Sequence, residues 1–410
     1  MAEAQTSVLA AKTLFGERLL EDPYPSYRRL LDEGPVHYVN YKGGTWAIFG
    51  HAECSAAIRD ARLTAKRTAI FLYTLPEEQR AEFTELARLL GMWMLFIDAP
   101  EHTRLRKLMN KGFSPAVVES LRPRVEAIVA RMLEPLAQAS EAELMQAIAY
   151  PLPMRVIAEM LGVPDAMHSQ LLAWTDEIAR FFGIPGQQTL ATMRPAQHAV
   201  LQLTEFFRGA AEGRRKRKGA DLVSLLLAIE EDGEVLTEEE VYAQCVMLLF
   251  GGHETTRNLV GNGMLTLLRH PAAMAELRQN PALIRAAVEE LLRYESPVQY
   301  TARMAKEELE LCGVHLRAGE PLLFMLGAAN RDARMFKDPD RLELGRVSNP
   351  HLSFGAGAHF CIGNQLARLE AQVAILQLVQ RFPRMRLAQE KADWVPNPIL
   401  RGLKSLPVTM

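Results

Sequence analysis

The 410-residue chain is poor in cysteine: Cys54, Cys245, Cys312 and Cys361 are scattered, with no Cys-x-x-Cys pair. That spacing offers neither a disulfide framework nor a zinc site, and it fits a reducing compartment. Excess charge is lacking too. Lys and Arg number 47 against 49 Asp and Glu, a formal net charge of −2. Neither a globally basic nucleic-acid binder nor an acidic disordered chain has that balance. The first 27 residues, "MAEAQTSVLAAKTLFGERLLEDPYPSY", hold no unbroken apolar run of ~18 residues. A membrane anchor and a signal peptide are therefore not expected, and the reading is a soluble cytoplasmic protein. Internal repeats and low-complexity tracts are also missing. What the chain does have is apolar content, 49 % of residues, ample for a large core. Length alone, at ~150 residues per domain, suggests two or three domains.

The pattern is mainly helical, broken by prolines. Residues 36 to 50 read as a hairpin turning at Lys42-Gly43-Gly44. Residues 309 to 332 offer short strands and turns, and "LRGLKSLPVTM" reads as a terminal hairpin arm. Four helices carry motifs. The first follows Asp98, with Asp98 and Glu101 as a capping box. The second is capped by Thr237 and Glu240 and can run to His270, ~48 Å at 1.5 Å per residue. The third starts at Asn280-Pro281 and the fourth just past Cys361. The run "GRRKRKG", residues 213 to 219, reads as a solvated loop.

Cys361 stands apart from the other three cysteines, which read as small buried hydrophobes. Gly355, Gly357 and Gly363 bracket it at the mouth of a helix. Free N–H groups there favour a thiolate, and glycines let the backbone approach something flat. The thiolate could serve as nucleophile or metal ligand. His359 is close in sequence, but two residues along an extended loop points it elsewhere. An axial thiolate to haem iron explains more of the loop.

The stretch "FGAGAHFCIG" resembles the haem-binding loop of the cytochrome P-450 family, Phe-Gly-x-Gly-x-His-x-Cys-x-Gly. Phe354, Gly355, Gly357, His359, Cys361 and Gly363 match. The resemblance implies Cys361 as iron ligand, Phe354 packed beside the sulfur, and His359 reaching a haem propionate. In "EELLRYESP", Glu290 and Arg293 resemble the family's ExxR pair, which braces the cysteine loop with a further arginine, here Arg341 or Arg346. In "EHTRLRKL", His102 and Arg106 lie four apart on one face and resemble the propionate-binding helix. Arg303 in "YTARMAKEELELCG" matches a third propionate ligand. "LLFGGHETTRN" resembles the oxygen-binding groove. There Gly251 and Gly252 loosen the helix, Thr255 hydrogen-bonds dioxygen and Glu254 relays protons.

The resemblance covers nearly the whole chain and overrides the length prior. It implies a mainly α fold with small β-sheets (α+β), a single triangular domain over residues 1 to 410. The β-containing portion falls at about 30–65 and 298–330, and the haem-binding loop at 354–363. It implies a haem b monooxygenase that uses O₂ to hydroxylate or epoxidise an apolar, medium-to-large small molecule, a natural product, terpenoid or fatty-acid-like compound. Electrons come from NAD(P)H through an acidic ferredoxin or flavodoxin and a reductase. Arg104, Lys107, Lys111 and Arg368 suggest a basic docking patch for that donor. The protein is expected to be a monomer, binding neither nucleic acid nor membrane. Met94, Phe250, Val298 and Ile399 are candidate pocket residues. A peroxygenase, a coupling oxidase and a non-catalytic haem sensor or carrier are the alternatives on the same fold.

Overall fold

The structure is a computed structural model describing residues 8–10, 12–40, 44–68, 71–72, 75–183, 189–217, 219–231 and 233–410. Strands β1 (Val8–Ala10), β2 (Val36–Asn40), β3 (Thr45–Ile48), β4 (Leu63–Thr64), β5 (Thr301–Ala305) and β6 (Pro321–Phe324) form one sheet, ordered β1-β2-β3-β6-β5-β4. β2 and β3 are antiparallel, Val36 opposite Ile48, as a hairpin demands. The turn at Lys42-Gly43 lies outside the described residues. β4 pairs antiparallel with β5, Thr64 opposite Met304. That register sets Arg303 beside the segment that leaves β4.

The helices that matter are α1 (Glu101–Asn110), α2 (Pro151–Met160), α3 (His168–Phe182), α4 (Leu190–Lys216), α5 (Glu238–Arg269), α6 (Ile284–Tyr294) and α7 (Asn364–Arg381). α5 is the spine. Thr237 Oγ1 accepts from the Glu240 N–H at 3.3 Å, and Glu240 Oε2 accepts from the Thr237 N–H at 2.8 Å. Glu238, Glu239 and Glu240 complement the positive end of the helix. α5 is buried without interruption from Val241 to Phe250 and from Asn258 to Leu268. Only an element packed on nearly all sides reads as apolar all round. α2, α3, α4, α6 and α7 supply that packing. Despite Gly251-Gly252, α5 is one continuous α-helix, so the expected loosening is not seen in its backbone.

Several local expectations fail for tertiary reasons. Asp98 does not cap α1, whose first flanking residue is Pro100 with no side-chain cap. Its carboxylate instead accepts from Thr64 Oγ1 and the Ala65 N–H, tying α1 to β4. Asn280 caps nothing, because Pro281–Leu283 is a 3-10 turn and α6 starts at Ile284. The C-terminal strands Leu403–Ser405 and Pro407–Thr409 do not pair with each other. The first joins Asp393–Trp394, and the second sits between Arg386–Leu387 and Glu141–Glu143. Most of the basic run is the last turn of α4, where Arg214 pairs with Asp221 at 3.0 Å and Arg215 with Glu238. Lys218 lies outside the described residues. Cys312 is half-buried in a tight turn at φ 52°, not a core hydrophobe.

Candidate active site

The loop 354–363 folds as its glycines require. Gly355 and Gly357 have φ of +70° and +68°, a region that favours glycine. The Cys361 N–H donates to the Phe354 carbonyl at 2.9 Å, and the Asn364 amide donates to the Cys361 carbonyl at 2.7 Å. α7 then starts one residue past Gly363. The thiol is half-buried. Burial pushes its pKa up, and the Gly363 N–H, Arg106 and Arg368 only partly offset this. The N–H at the mouth of α7 and the two arginines act in the direction that the sequence argument expects. A coordinated cation is what would deprotonate it outright.

Basic groups converge on the same place. β5 brings Arg303, α1 brings His102 and Arg106, the loop brings His359, and the segment after β4 brings Arg67. The His102 and His359 rings lie 4.0 Å apart. His102 is 3 % exposed, and its Nε2 has no hydrogen-bond partner among the described residues. Burial, with Arg303 next, drives His359 down to about 3. Burial likewise lowers Arg303 to about 10 and Arg67 to about 9, the latter reinforced by Arg303. Asp98 is the acid whose field reaches Arg67, His102, Arg303 and His359. Five basic groups against one acid make a site for a dianion. A Cβ built on Gly251 or Gly363 would meet no atom within 4 Å, so both backbones border open space. A flat group carrying a metal cation and two carboxylates fits these features, and haem is such a group. Arg67 was not singled out in the sequence, since nothing in "TAKRTAI" marks it locally.

Behind the loop, Glu290 and Arg293 are both fully buried. Arg293 Nε and Nη2 each donate to Glu290 at 2.8 Å. Arg346 Nε donates to Glu290 Oε2 at 3.0 Å, joined by Asn349 at 3.2 Å and the Glu343 N–H at 3.0 Å. Arg346 is thus the arginine whose side chain meets the pair. Arg341 contributes its carbonyl, which accepts from Arg293 and Arg346. Beside the network, Arg368 donates to both oxygens of Glu289 at 2.6 and 2.9 Å and lies 4.4 Å from the Phe354 ring centroid. His351 binds the same carboxylate at 3.0 Å. Phe354 is therefore seen under an arginine, and its carbonyl holds the cysteine backbone. Arg368 is already paired, as are Arg104 with Glu240 and Lys111 with the Glu230 carbonyl. Two of the four groups of the expected basic patch, Arg104 and Arg368, are therefore ion-paired within the chain.

On α5, Thr255 Oγ1 donates to the Gly251 carbonyl at 2.7 Å, one turn back. Gly252 packs on Ile157. Glu254 is 4 % exposed; Arg257 pairs with its Oε1 at 2.8 Å and reaches Asp176 at 3.5 Å. Burial raises the Glu254 pKa, and Arg257 opposes that rise. Asp176, His253 and Glu254 bring ligand atoms within 4.8 Å, but the Arg257 guanidinium is already the cation between the two acids. Met94 and Phe250 lie in the main core; Phe250 packs 5.8 Å from Trp93 and 5.3 Å from Phe182. Val298 and Ile399 border the two smaller clusters, and Val298 bridges to Leu400.

Residues 77–400 match the cytochrome P450 family model. The chain belongs to the cytochrome P450 family. It is 38 % identical over 406 residues to a biotin biosynthesis cytochrome P450 of Bacillus subtilis, covering 98 % of this chain and 99 % of that one. It is 39 % identical to the monooxygenase PikC of Streptomyces venezuelae, over 96 % of this chain and 92 % of the other. Among solved structures, P450BioI in complex with hexadec-9Z-enoic acid ligated acyl carrier protein superposes with a TM-score of 0.89 at 38 % identity, over 96 % and 100 % of the two chains. Myxobacterial P450 CYP267B1 in complex with myristic acid gives 0.87 at 36 % identity, over 97 % and 99 %. This P450 is thus a monooxygenase of bacterial type with the mainly α P450 fold, and its family uses thiolate-ligated haem iron. No described helix is long and apolar enough to cross a membrane.

Proposed function

We propose that this P450 is a soluble, cytoplasmic, monomeric enzyme that hydroxylates or epoxidises a fatty-acyl or polyketide-like chain. The names of its relatives support that substrate class. The observation that carries the reading is the half-buried Cys361 at the mouth of α7, within reach of Arg106, which in turn adjoins the cluster of His102, His359, Arg303, Arg67 and Asp98. Cys361 would ligate the iron of haem, and Arg67, His102, Arg106, Arg303 and His359 would hold its carboxylates. Haem, when bound, supplies O₂ activation by a thiolate-ligated iron. The chain's own residues do the rest. Glu290, Arg293 and Arg346 fix the segment 341–349 behind the loop. Glu254 moves protons inward, and Thr255, once released from the Gly251 carbonyl, donates a hydrogen bond toward the oxygen site. Phe250, Met94, Trp93 and Phe182 exclude water. Electrons come from NAD(P)H through a ferredoxin or flavodoxin and its reductase.

A spectral titration with fatty acids and macrolides tests the substrate class. An apolar ligand should convert low-spin iron to high-spin, and the same ligand should be oxidised with ferredoxin, reductase and NAD(P)H. Spin shifts confined to small charged ligands would refute the substrate class. Turnover with peroxide but never with reductant would favour the peroxygenase, which the Glu254-Thr255 pair argues against.

A further inference from the structure

Along one row of α5, four residues apart, stand Glu254, Asn258, Asn262 and Thr266, all at most 4 % exposed. Residues i and i+4 share a helix face, so the row is a column of polar groups inside the core. Glu254 Oε2, Asn258 Nδ2 and Asn262 Oδ1 make no well-formed hydrogen bond to a described protein group, although the Asn258 amide lies close enough to Glu254 to favour its charged form. The other end of each is pinned. Arg257 holds Glu254 Oε1 at 2.8 Å and lies 3.4 Å from Asn258 Oδ1; Asn262 Nδ2 donates to the Arg401 carbonyl at 2.9 Å. Gly402 makes the column possible, because a Cβ there would collide with the Asn258 amide. The column ends at a cleft of about 470 Å³, lined by Thr266, His270, Arg401 and Glu295 among others.

We propose that this column is a water file that carries protons from the cleft at Thr266 and His270 to Glu254. Deepening the proposed function, it rests on the reading of Glu254 as proton relay. Buried polar atoms left over by the protein are normally satisfied by ordered water. Asn258 stands against Glu254, so a water bonded to both can hand a proton to the carboxylate, and each further step of the row rises ~6 Å, a gap that one or two waters span. In transfer, each water accepts one proton and passes on another. Glu254 gives one proton toward the oxygen site and regains one from the file, so nothing accumulates. The way from Glu254 toward Asp176 is occupied by the Arg257 guanidinium, whose positive charge opposes an incoming proton. The Asn side chains are positioning residues: they hold water and touch neither substrate nor cofactor.

A crystal structure at a resolution that places water is the first test. Ordered waters bonded to Glu254 Oε2, Asn258 Nδ2 and Asn262 Oδ1 are expected; a dry column would overturn the proposal. Kinetics supply the second, with myristic acid as probe substrate. Asn262→Leu and Gly402→Ala should slow NAD(P)H-driven turnover about tenfold, a part of what acid–base assistance supplies. Turnover driven by hydrogen peroxide, which brings its own protons, should stay unchanged, and Asn262→Thr should recover most of the loss. Equal losses under both drives would mark a structural role and overturn the proposal. So would unchanged NAD(P)H-driven rates in both blocking variants, or a loss confined to Asp176→Asn. If Glu254→Gln itself leaves NAD(P)H-driven turnover intact, the relay reading fails separately.

Discussion

Replacing Glu290 by Gln should cost more than any other single change in the network behind the cysteine loop. The carboxylate takes two bonds from Arg293 and one each from Arg346, Asn349 and the Glu343 N–H, with no solvent contact. Gln keeps the shape but removes the charge and turns N–H donors toward guanidinium donors. Breaking a fully buried ion pair from one side costs about 3–5 kcal/mol. At ~2.1 cal/mol/K per residue, this chain unfolds with ~0.86 kcal/mol/K, so Tm should fall by about 3–6 °C. Arg346→Ala leaves the Glu290–Arg293 pair whole and should cost less, about 1–3 kcal/mol for the unmade charged bonds. Arg341→Ala keeps the carbonyl that the two arginines use and should stay within about 0.5 kcal/mol. Melts followed by far-ultraviolet circular dichroism measure all three. An Arg341→Ala variant as damaged as Arg346→Ala, or a Glu290→Gln variant of native stability, would refute this reasoning.

Thr255→Ala should keep haem binding and NAD(P)H consumption while most electrons emerge as hydrogen peroxide. Full coupling of NAD(P)H to product in that variant would argue that the substrate's own hydroxyl does the work. Arg67→Ala should lower haem retention, read as the ratio of haem to protein after gel filtration, because it removes one of five basic groups around a dianion site; full retention would exclude it from that site. Glu289 gives a pH signature. Burial alone would raise its pKa, but hydrogen bonds from His351 and Arg368 hold it down to about 2. A depressed carboxylate stabilises the fold above its unfolded pKa of ~4.3 and loses that contribution as pH falls toward 2. The stability gap between parent and Glu289→Gln should therefore be present at pH 6 and closed near pH 2, as measured by urea melts; a gap independent of pH would contradict this.

The parts of the site that could be read from the sequence are those written in consecutive residues. Thr237 and Glu240 cap α5 within one turn, and the positive φ of Gly355 and Gly357 answers a local demand of the loop. What could not be read depends on residues distant in the chain. Arg67 joins Arg303 because β4 pairs with β5. Arg346 and not Arg341 reaches Glu290 because of the path of the chain between them. Asp98 looked like a cap, but the Thr64 hydroxyl and the Ala65 N–H offered its carboxylate better partners. Charge counted along the sequence likewise says nothing of Glu240 and Glu289, which pair with Arg104 and Arg368 of the expected basic patch. In the C-terminal arm, each strand found a partner elsewhere.

The central claim is that Cys361 ligates the iron of a haem seated among these basic groups. The most direct measurement is the absorption spectrum of the ferrous–CO form of the purified protein, beside Cys361→Ser. The parent should show the red-shifted Soret band of a thiolate-ligated haem, and the variant should lose it. A histidine-type spectrum in the parent, or an unchanged band in Cys361→Ser, would contradict the account.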